Sequence, residues 1–199
     1  FLFLSLALSY FVIKITNINY LFSTLLISAS FFLLFISIKD FFDKKITFTR
    51  KISHFGFSLL IFSILLNGIL SNEFTINMKI GDEVKFMNKT IKFKNLVTYP
   101  KDNYNSVEGI FEIKENNEVS TFNPQIRIYN QPNISTSEAD IKTNFYSDNF
   151  LVFNVINNDG YFNVRYQYKP FMMWIWLSVI FLALGGFTSL LRSKWKKIL

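Results

Sequence analysis

The stretch "KISHFGFSLLIFSILLNGIL", residues 51–70, holds the only histidine of the chain, His54, at the start of an apolar run. The run 52–70 is close to the roughly 20 residues that an α-helix needs to cross the hydrocarbon core of a bilayer. Two further apolar segments, 20–38 and 170–191, have a similar length. The sequence therefore predicts a multi-pass membrane protein with transmembrane helices at these three places.

The composition agrees with this class of protein. Half of the residues (50%) are hydrophobic and the mean hydropathy is +0.26, values typical of membrane proteins. A fourth apolar run, residues 1–13, is too short to span alone and lacks the basic start and cleavage site of a signal peptide. We expect it to be part of another spanning helix, and the sequence to be the C-terminal part of a longer protein. Because there is no cysteine, disulfides, thiolate metal sites and covalent haem attachment are excluded.

The net charge of +7 is unevenly distributed along the chain. Residues 39–51 and the tail 192–199 are strongly basic, whereas residues 73–170 carry eleven Lys and Arg against twelve Asp and Glu. Basic stretches beside helix ends follow the positive-inside rule, so nucleic-acid binding is not expected. We expect 39–51 and 192–199 in the cytoplasm, or an equivalent inner compartment. Residues 71–169 then form an outer domain.

The outer stretch 71–169 has the pattern of a β-domain. Hydrophobic and polar residues alternate with period 2, and turn residues separate the alternating segments. The alternation is seen in "TIKFKNLV" (90–97), "GIFEIKE" (109–115) and "YFNVRYQY" (161–168), with turn signals at Gly81-Asp82 and Asn157–Gly160. We predict about seven short strands in a small barrel or sandwich. The fold class is thus an α+β membrane protein, with transmembrane helices and an inserted all-β outer domain.

Aromatic residues mark the boundary between this domain and the last helix. Pro170 can end a strand ladder and suits the first turn of a helix. The aromatic rings nearby are predicted to be an interfacial anchor, because such rings prefer the membrane surface. They are Tyr166, Tyr168, Trp174 and Trp176, with Trp195 at the inner boundary.

Helical periodicity separates two faces around His54. Small and polar residues on one face allow a neighbouring helix to pack closely, and His54 is expected to point away from that contact. The small and polar face has Gly56, Ser63 and Asn67, and the His54 face has Phe57, Ser58, Ile61, Leu65 and Gly68. Asp40 and Asp43, in the basic loop, are interpreted as a solvated surface.

Three hypotheses for His54 follow from its position alone. It could be an interfacial histidine hydrogen-bonded to a helix or a lipid headgroup, or a proton-relay residue, since ionisable groups in spans are costly and usually functional. It could also be an axial haem ligand, because a neutral imidazole has a nitrogen lone pair for iron. A second histidine ligand would have to come from outside this chain.

A series of motifs along the whole chain favours one of these three hypotheses. The chain has His-x-Gly at His54 and Gly56, then the β-rich stretch with "STSEADI" (135–141), then "VRYQYKPFMMWIWL" (164–177) followed by Leu184-Gly185-Gly186. In this order the motifs resemble the C-terminal end of CcmF, the haem lyase subunit of the system I cytochrome c maturation machinery. A shorter similarity, at Arg127, is more typical of an ion pair at the rim of a strand than of a cofactor contact.

The resemblance implies transfer of haem from the haem chaperone CcmE to apocytochrome c, together with thiol-reducing partner subunits. It also implies a membrane-embedded b-type haem (haem b) held by two helix histidines, of which His54 matches the more C-terminal. Phe57, Ile61 and Leu65 would form its apolar wall, and a reductant such as quinol would supply electrons. The implied location is the bacterial inner membrane with the β-domain in the periplasm, or the mitochondrial inner membrane.

Other functions remain open at this point. The family's Trp-rich haem-handling loop and its flanking histidines do not occur in this sequence, so the chain is expected to be a subunit or fragment of a haem lyase and not a complete enzyme. A system II maturation component of the ResB type shares the general plan of spans and outer β-domain. A membrane-anchored scaffold domain without a cofactor is a third possibility. No other catalytic motif is present.

Overall fold

The computed structural model describes residues 1–16, 21–116, 118–156 and 160–196, and for 192–196 it describes the backbone alone. The predicted loop at 157–159 and the side chain of Trp195 lie outside the described residues. Two compact units are formed. The helical unit contains residues 1–71, 144–147 and 170–199, and the β unit contains residues 72–143 and 148–169.

The helical unit has four α-helices in its described part. They are α1 (Leu2–Thr16), α2 (Leu21–Phe42), α3 (Phe48–Leu70) and α4 (Met172–Lys196). By length and composition α2, α3 and the Met172–Leu191 part of α4 can each cross a membrane, and α1 is shorter. Three long apolar helices together with a β unit confirm the predicted α+β class.

Glycines allow α3 and α4 to pack closely. A Cβ added to Gly56 of α3 would lie 2.9 Å from the backbone nitrogen of Leu182 and 3.0 Å from the backbone oxygen of Ser178. On α4, Gly185 lies directly against Ser53. Such close approach requires residues without side chains, so the contact predicted through Gly56 is confirmed.

Serines mediate the contacts of α2. The hydroxyls of Ser37 in α2 and Ser58 in α3 are 2.6 Å apart, and those of Ser5 in α1 and Ser28 in α2 are 3.3 Å apart. These small polar side chains let the helix backbones approach while their hydroxyl groups remain hydrogen-bonded away from water.

The connection into α4 differs from the prediction. Pro170 is the last residue of the final strand, as expected, but it does not start the helix. Phe171, with a φ of 61°, lies between the strand and Met172, where α4 begins. The side-chain amide of Asn67 donates to the Pro170 carbonyl at 2.5 Å, which ties the end of α3 to the beginning of α4.

The β unit has ten strands among the described residues, more than the seven or so predicted. They are β1 (Asn72–Met78), β2 (Glu83–Phe86), β3 (Lys89–Pro100), β4 (Tyr104–Glu115), β5 (Glu118–Phe122), β6 (Gln125–Tyr129), β7 (Ile134–Glu138), β8 (Asp140–Thr143), β9 (Ser147–Val155) and β10 (Phe162–Pro170). One sheet has the order β1-β10-β9-β8, and the other β2-β3-β4-β6-β7 with β5 also paired to β4. The chain passes from the first sheet to the second between β1 and β2, and it returns to the first sheet at Ala139.

Alternating residues of both sheets form the core of this sandwich. Phe93 and Phe111 stack with ring centroids 4.3 Å apart, and Phe153 of the opposite sheet meets Phe93 edge to face. The remaining core residues are Met78, Ile91, Ile113, Phe122, Ile126, Leu151, Val164 and Tyr166. Burial of a phenylalanine of this kind is worth several kcal/mol, since truncation of a core Phe to Ala costs about 3–5 kcal/mol.

The α3–α4 contact generates a first prediction. We expect Gly56→Ala to destabilise the helical unit by about 1–3 kcal/mol, because the added methyl group meets the backbone of α4, which cannot move aside. The measurement is the thermal unfolding midpoint of the detergent-purified protein.

Gly68→Ala, in the same helix, is the matched control. No atom lies within 4 Å of a Cβ at this position, so the gain in helix propensity of about 1 kcal/mol should leave the protein equally or more stable. Equal midpoints for the two variants would contradict the packing described here.

Candidate functional site

His54 lies in the second turn of α3 and contacts α2. Its Nδ1 is 3.2 Å from Oδ2 of Asp40, close to the C-terminal end of α2. The His54 side chain is 46% exposed, whereas that of Asp40 is 16% exposed. The interpretation of Asp40 as a solvated residue is therefore wrong, because the short loop 43–47 folds α2 back against α3 and turns Asp40 towards the histidine.

An apolar face of α3 is left open beside His54. Phe57 is 54% exposed and Ile64 is also exposed, whereas Ile61 and Leu65 are partly buried. Ser58, predicted on this face, is instead buried against Ser37 because α2 covers that side of the helix. His54 thus lies at the edge between the side of α3 covered by α2 and the open apolar side.

The side chains at and around His54 fit a haem. With Nδ1 directed to Asp40, the other ring nitrogen, Nε2, has no partner among the described residues and can bind iron. Apolar side chains next to it suit a macrocycle within a membrane. The described residues contain no group of three or more His, Cys, Asp or Glu side chains that could hold a metal ion by themselves.

A separate apolar cavity lies between the helices of this unit. It has a volume of about 260 Å³ and is lined by Leu34, Ile38, Phe55, Leu59, Phe62, Ser63, Phe171 and Trp174. His54 does not line it. Its volume is below the roughly 300–1,000 Å³ of typical small-molecule sites, so the open face of α3 remains the candidate site.

A buried polar cluster lies in the β unit. Lys89 Nζ donates to the Tyr166 hydroxyl at 2.7 Å and to Asn149 Oδ1 at 3.1 Å, and it lies 3.2 Å from Glu115 Oε2. The Tyr166 hydroxyl in turn donates to Asn149 Oδ1 at 2.6 Å. Each buried polar group therefore has a hydrogen-bond partner, as burial requires.

This environment changes the pKa of both central groups. Burial raises the pKa of Tyr166 above its usual value, and the hydrogen bond from Lys89 opposes this only in part. Burial alone would lower the pKa of Lys89, but its contacts with Tyr166 and Glu115 raise it above its usual value.

One residue of the predicted aromatic anchor lies elsewhere. Tyr166 is 1% exposed and belongs to the sandwich core, so its assignment to a membrane interface is wrong. Trp176 is 66% exposed on α4, and Trp174 donates its indole N–H to the Phe145 carbonyl at 3.1 Å. Tyr166 lies in the alternating segment "YFNVRYQY" (161–168), and that pattern did not reveal its polar partners.

Arg127, singled out in the sequence, and Arg165, in the segment 164–177, make surface contacts. Arg165 forms a two-pronged ion pair with Glu73, with Nε 2.7 Å and Nη2 2.8 Å from the carboxylate oxygens. Arg127 lies over the ring of Tyr104, with its guanidinium carbon 5.2 Å from the centroid. Its Nε donates to Gln125 Oε1 at 3.3 Å.

Asp40 is the residue of the candidate site that the sequence patterns did not identify. The spacing contained a usable signal. Asp40 and His54 are each seven residues from Thr47, in the loop between α2 and α3. Two antiparallel helices joined by a short loop bring together residues that are equally distant from the loop.

Comparison with known proteins agrees with the two-sheet sandwich. The family model described as "CcmF C-terminal beta-sandwich" matches residues 69–170, about half of the chain. The chain belongs to the CcmF family. Membership of this family favours the CcmF resemblance over the ResB-type and scaffold alternatives.

Individual relatives agree with this assignment. The chain is 25% identical over 147 residues to the cytochrome c-type biogenesis protein CcmF of Pseudomonas aeruginosa, which covers 73% of this chain and 22% of that protein. It is 31% identical over 119 residues to the cytochrome c-type biogenesis protein ccl1 of Rhodobacter capsulatus, covering 59% of this chain and 18% of that protein. The chain thus spans about a fifth of the length of these relatives.

A solved structure titled "Cytochrome c Heme Lyase CcmF" has the same fold. It matches with a TM-score of 0.68 over 92% of this chain and 33% of that chain, at 17% identity. The long apolar helices and the sandwich therefore occur together in the solved structure with that title.

The polar cluster of the β unit generates a second prediction. Because the folded-state pKa values of Tyr166 and Lys89 are both raised, their contribution to stability is present below about pH 10 and lost as the pH rises further. We expect Tyr166→Phe to lower stability at neutral pH by about 1–3 kcal/mol, since Lys89 and Asn149 lose a partner. The fall in the unfolding midpoint between pH 9 and 11 should become shallower.

Tyr168→Phe is the control for this measurement. The ring of Tyr168 lies 5.3 Å from Lys89 Nζ, and the substitution retains that ring. Its stability and alkaline profile should follow those of the unaltered protein. A Tyr166→Phe profile that is equally steep would contradict the role given to the buried hydroxyl.

Proposed function

We propose that this chain is the part of a cytochrome c haem lyase that supplies one axial histidine, His54, to a b-type haem within the membrane. The observation that carries the proposal is the orientation of His54 in a CcmF-family chain. Its Nδ1 faces Asp40, so its Nε2 is left for iron beside the open apolar face of α3.

The residues of α3 would have distinct tasks. His54 would bind the iron, and Phe57, Ile61 and Leu65 would exclude water from the ring system. When bound, the haem supplies one-electron transfer that keeps the iron of transferred haem ferrous. The second axial histidine would come from outside residues 1–199, which contain only one histidine. Consistent with the family, CcmE would be the haem donor, apocytochrome c the acceptor, and thiol-reducing subunits the further partners.

The charge distribution supports an orientation in the membrane. The five basic residues of 39–51 and the four of 192–199 would lie on the cytoplasmic side of a bacterial inner membrane, or on the matrix side in a mitochondrion. Residues 71–169, which are nearly neutral overall, would form the periplasmic domain. His54 would then lie near the inner surface of the membrane, one turn of helix beyond Arg50.

The ligand assignment generates a third prediction. His54→Ala should abolish the reduced b-type α-band of the protein purified in detergent from its native membrane, because the iron loses a strong nitrogen ligand. The measurement is the reduced-minus-oxidised absorption spectrum, normalised to the amount of folded protein. Gly68→Ala, fourteen residues along the same helix, should retain the band.

An unchanged spectrum in His54→Ala, with equal thermal stability, would remove His54 from the axial position. Protein that is colourless when haem is supplied in excess would also contradict the proposal.

The orientation generates a fourth prediction, which uses the absence of cysteine from the chain. A membrane-impermeant maleimide added to intact spheroplasts should label Asp102→Cys in the β unit. Lys45→Cys in the loop between α2 and α3 should be labelled only after lysis. Labelling of Lys45→Cys in intact cells would reverse the orientation.

A further inference from the structure

The carboxylate of Asp40 is next to a basic loop but contacts a histidine instead of a lysine. Lys44 and Lys45 follow it within five residues and both are exposed. Nevertheless, within the described part of the chain, the ion-pair contact of Asp40 is with His54 and not with a lysine. The nearby Lys51 ammonium donates to the backbone carbonyl of Phe41 at 2.8 Å instead. Partial burial of a carboxylate at a helix contact has a desolvation cost that a specific partner offsets.

Asp43 shows what a solvated carboxylate does in the same loop. It is exposed, and its Oδ1 accepts the backbone N–H of Lys45 at 2.8 Å, which closes the local turn. Asp40 and Asp43 have the same charge and lie three residues apart, but only Asp40 is turned towards α3. The orientation of Asp40 is therefore a property of the helix contact and not of the loop composition.

Two contacts between α2 and α3 hold this pair in register. On the membrane side, the hydroxyls of Ser37 and Ser58 are 2.6 Å apart. The rings of Phe41 and Phe55 meet edge to face, with centroids 5.6 Å apart. Asp40 and His54 are adjacent in sequence to Phe41 and Phe55, and Ser37 and Ser58 lie about one helical turn further along. The packing of the two helices therefore determines which imidazole nitrogen meets the carboxylate.

A carboxylate on Nδ1 selects one form of a neutral imidazole. The carboxylate can only accept a hydrogen bond, so Nδ1 carries the hydrogen and Nε2 keeps its lone pair. The same contact restrains rotation of the ring. In metal sites this arrangement also makes the ligating nitrogen a stronger electron donor.

Building on the proposed function, we propose that Asp40 is a positioning residue for the haem site: its carboxylate accepts the Nδ1–H of His54, presents Nε2 to the iron and lowers the reduction potential of the haem. A stronger donor stabilises ferric iron over ferrous iron, which gives the direction of the effect on the potential.

The fifth prediction separates the two parts of this role. Asp40→Asn retains a side-chain oxygen that can accept the hydrogen bond but removes the charge, so haem should remain bound with a more positive reduction potential. Asp40→Ala removes both, and we expect haem affinity to fall by about 10–100-fold as well. The measurements are potentiometric titration of the α-band, haem affinity, and the electron paramagnetic resonance signature of the ferric haem.

Asp43→Asn is the matched control, because it makes the same change of net charge three residues away without a contact to His54. Its potential and spectrum should equal those of the unaltered protein. Thermal midpoints measured for all variants distinguish a loss of folding from a change at the haem.

Three outcomes would overturn the inference in distinguishable ways. In the first, His54→Ala loses the α-band while both Asp40 variants keep the original reduction potential, haem affinity and resonance signature. His54 then remains the haem ligand, and the role of Asp40 is refuted. If the Asp43→Asn potential shifts as much as that of Asp40→Asn, the effect is one of general charge and not of the contact with Nδ1. If His54→Ala keeps an unchanged spectrum, the proposed function fails, and the inference fails with it.

Discussion

The close approach of α4 to the backbone of α3 at Gly56 is the constraint on which the helical unit depends. Since a methyl group there would meet backbone atoms of Leu182 and Ser178, the contact admits only glycine without rearrangement. With α4 on this side and α2 held by the hydroxyl pair of Ser37 and Ser58, two sides of α3 are covered. The remaining side is apolar and open, and His54 lies at its edge.

The β unit meets a different requirement, which is to bury polar groups without leaving them unpaired. Lys89 enters the sandwich because Tyr166, Asn149 and Glu115 together satisfy its ammonium group. Both sheets contribute to this cluster, since Lys89 and Glu115 come from β3 and β4, and Asn149 and Tyr166 from β9 and β10. The cluster thereby links the two sheets at a defined position, in addition to the stacked phenylalanines of the core.

Patterns within one element were predicted well. Burial of one face of a helix or strand produces a regular spacing of apolar or small residues along the sequence. This spacing is seen in the long apolar runs, in the period-2 strands and at Gly56. The number of strands was underestimated, because short strands such as β2, β7 and β8 have only four or five residues, too few for a clear alternation. The start of the last helix was predicted two residues too early, at residue 170 instead of Met172, because a left-handed Phe171 has no sequence signature.

The sequence by itself determined the α+β membrane class, the helix face that packs against a neighbour, the family to which the chain belongs, and the single histidine as the candidate ligand. Only the tertiary structure decided which groups meet that histidine and which polar groups share the sandwich core. The physical reason is that periodicity reports whether a side chain is buried. Contacts such as those of Asp40 with His54 and of Lys89 with Tyr166 depend instead on how separate helices and strands pack. The equal spacing of Asp40 and His54 from Thr47 indicates that these two side chains can meet, but it does not show which atoms do.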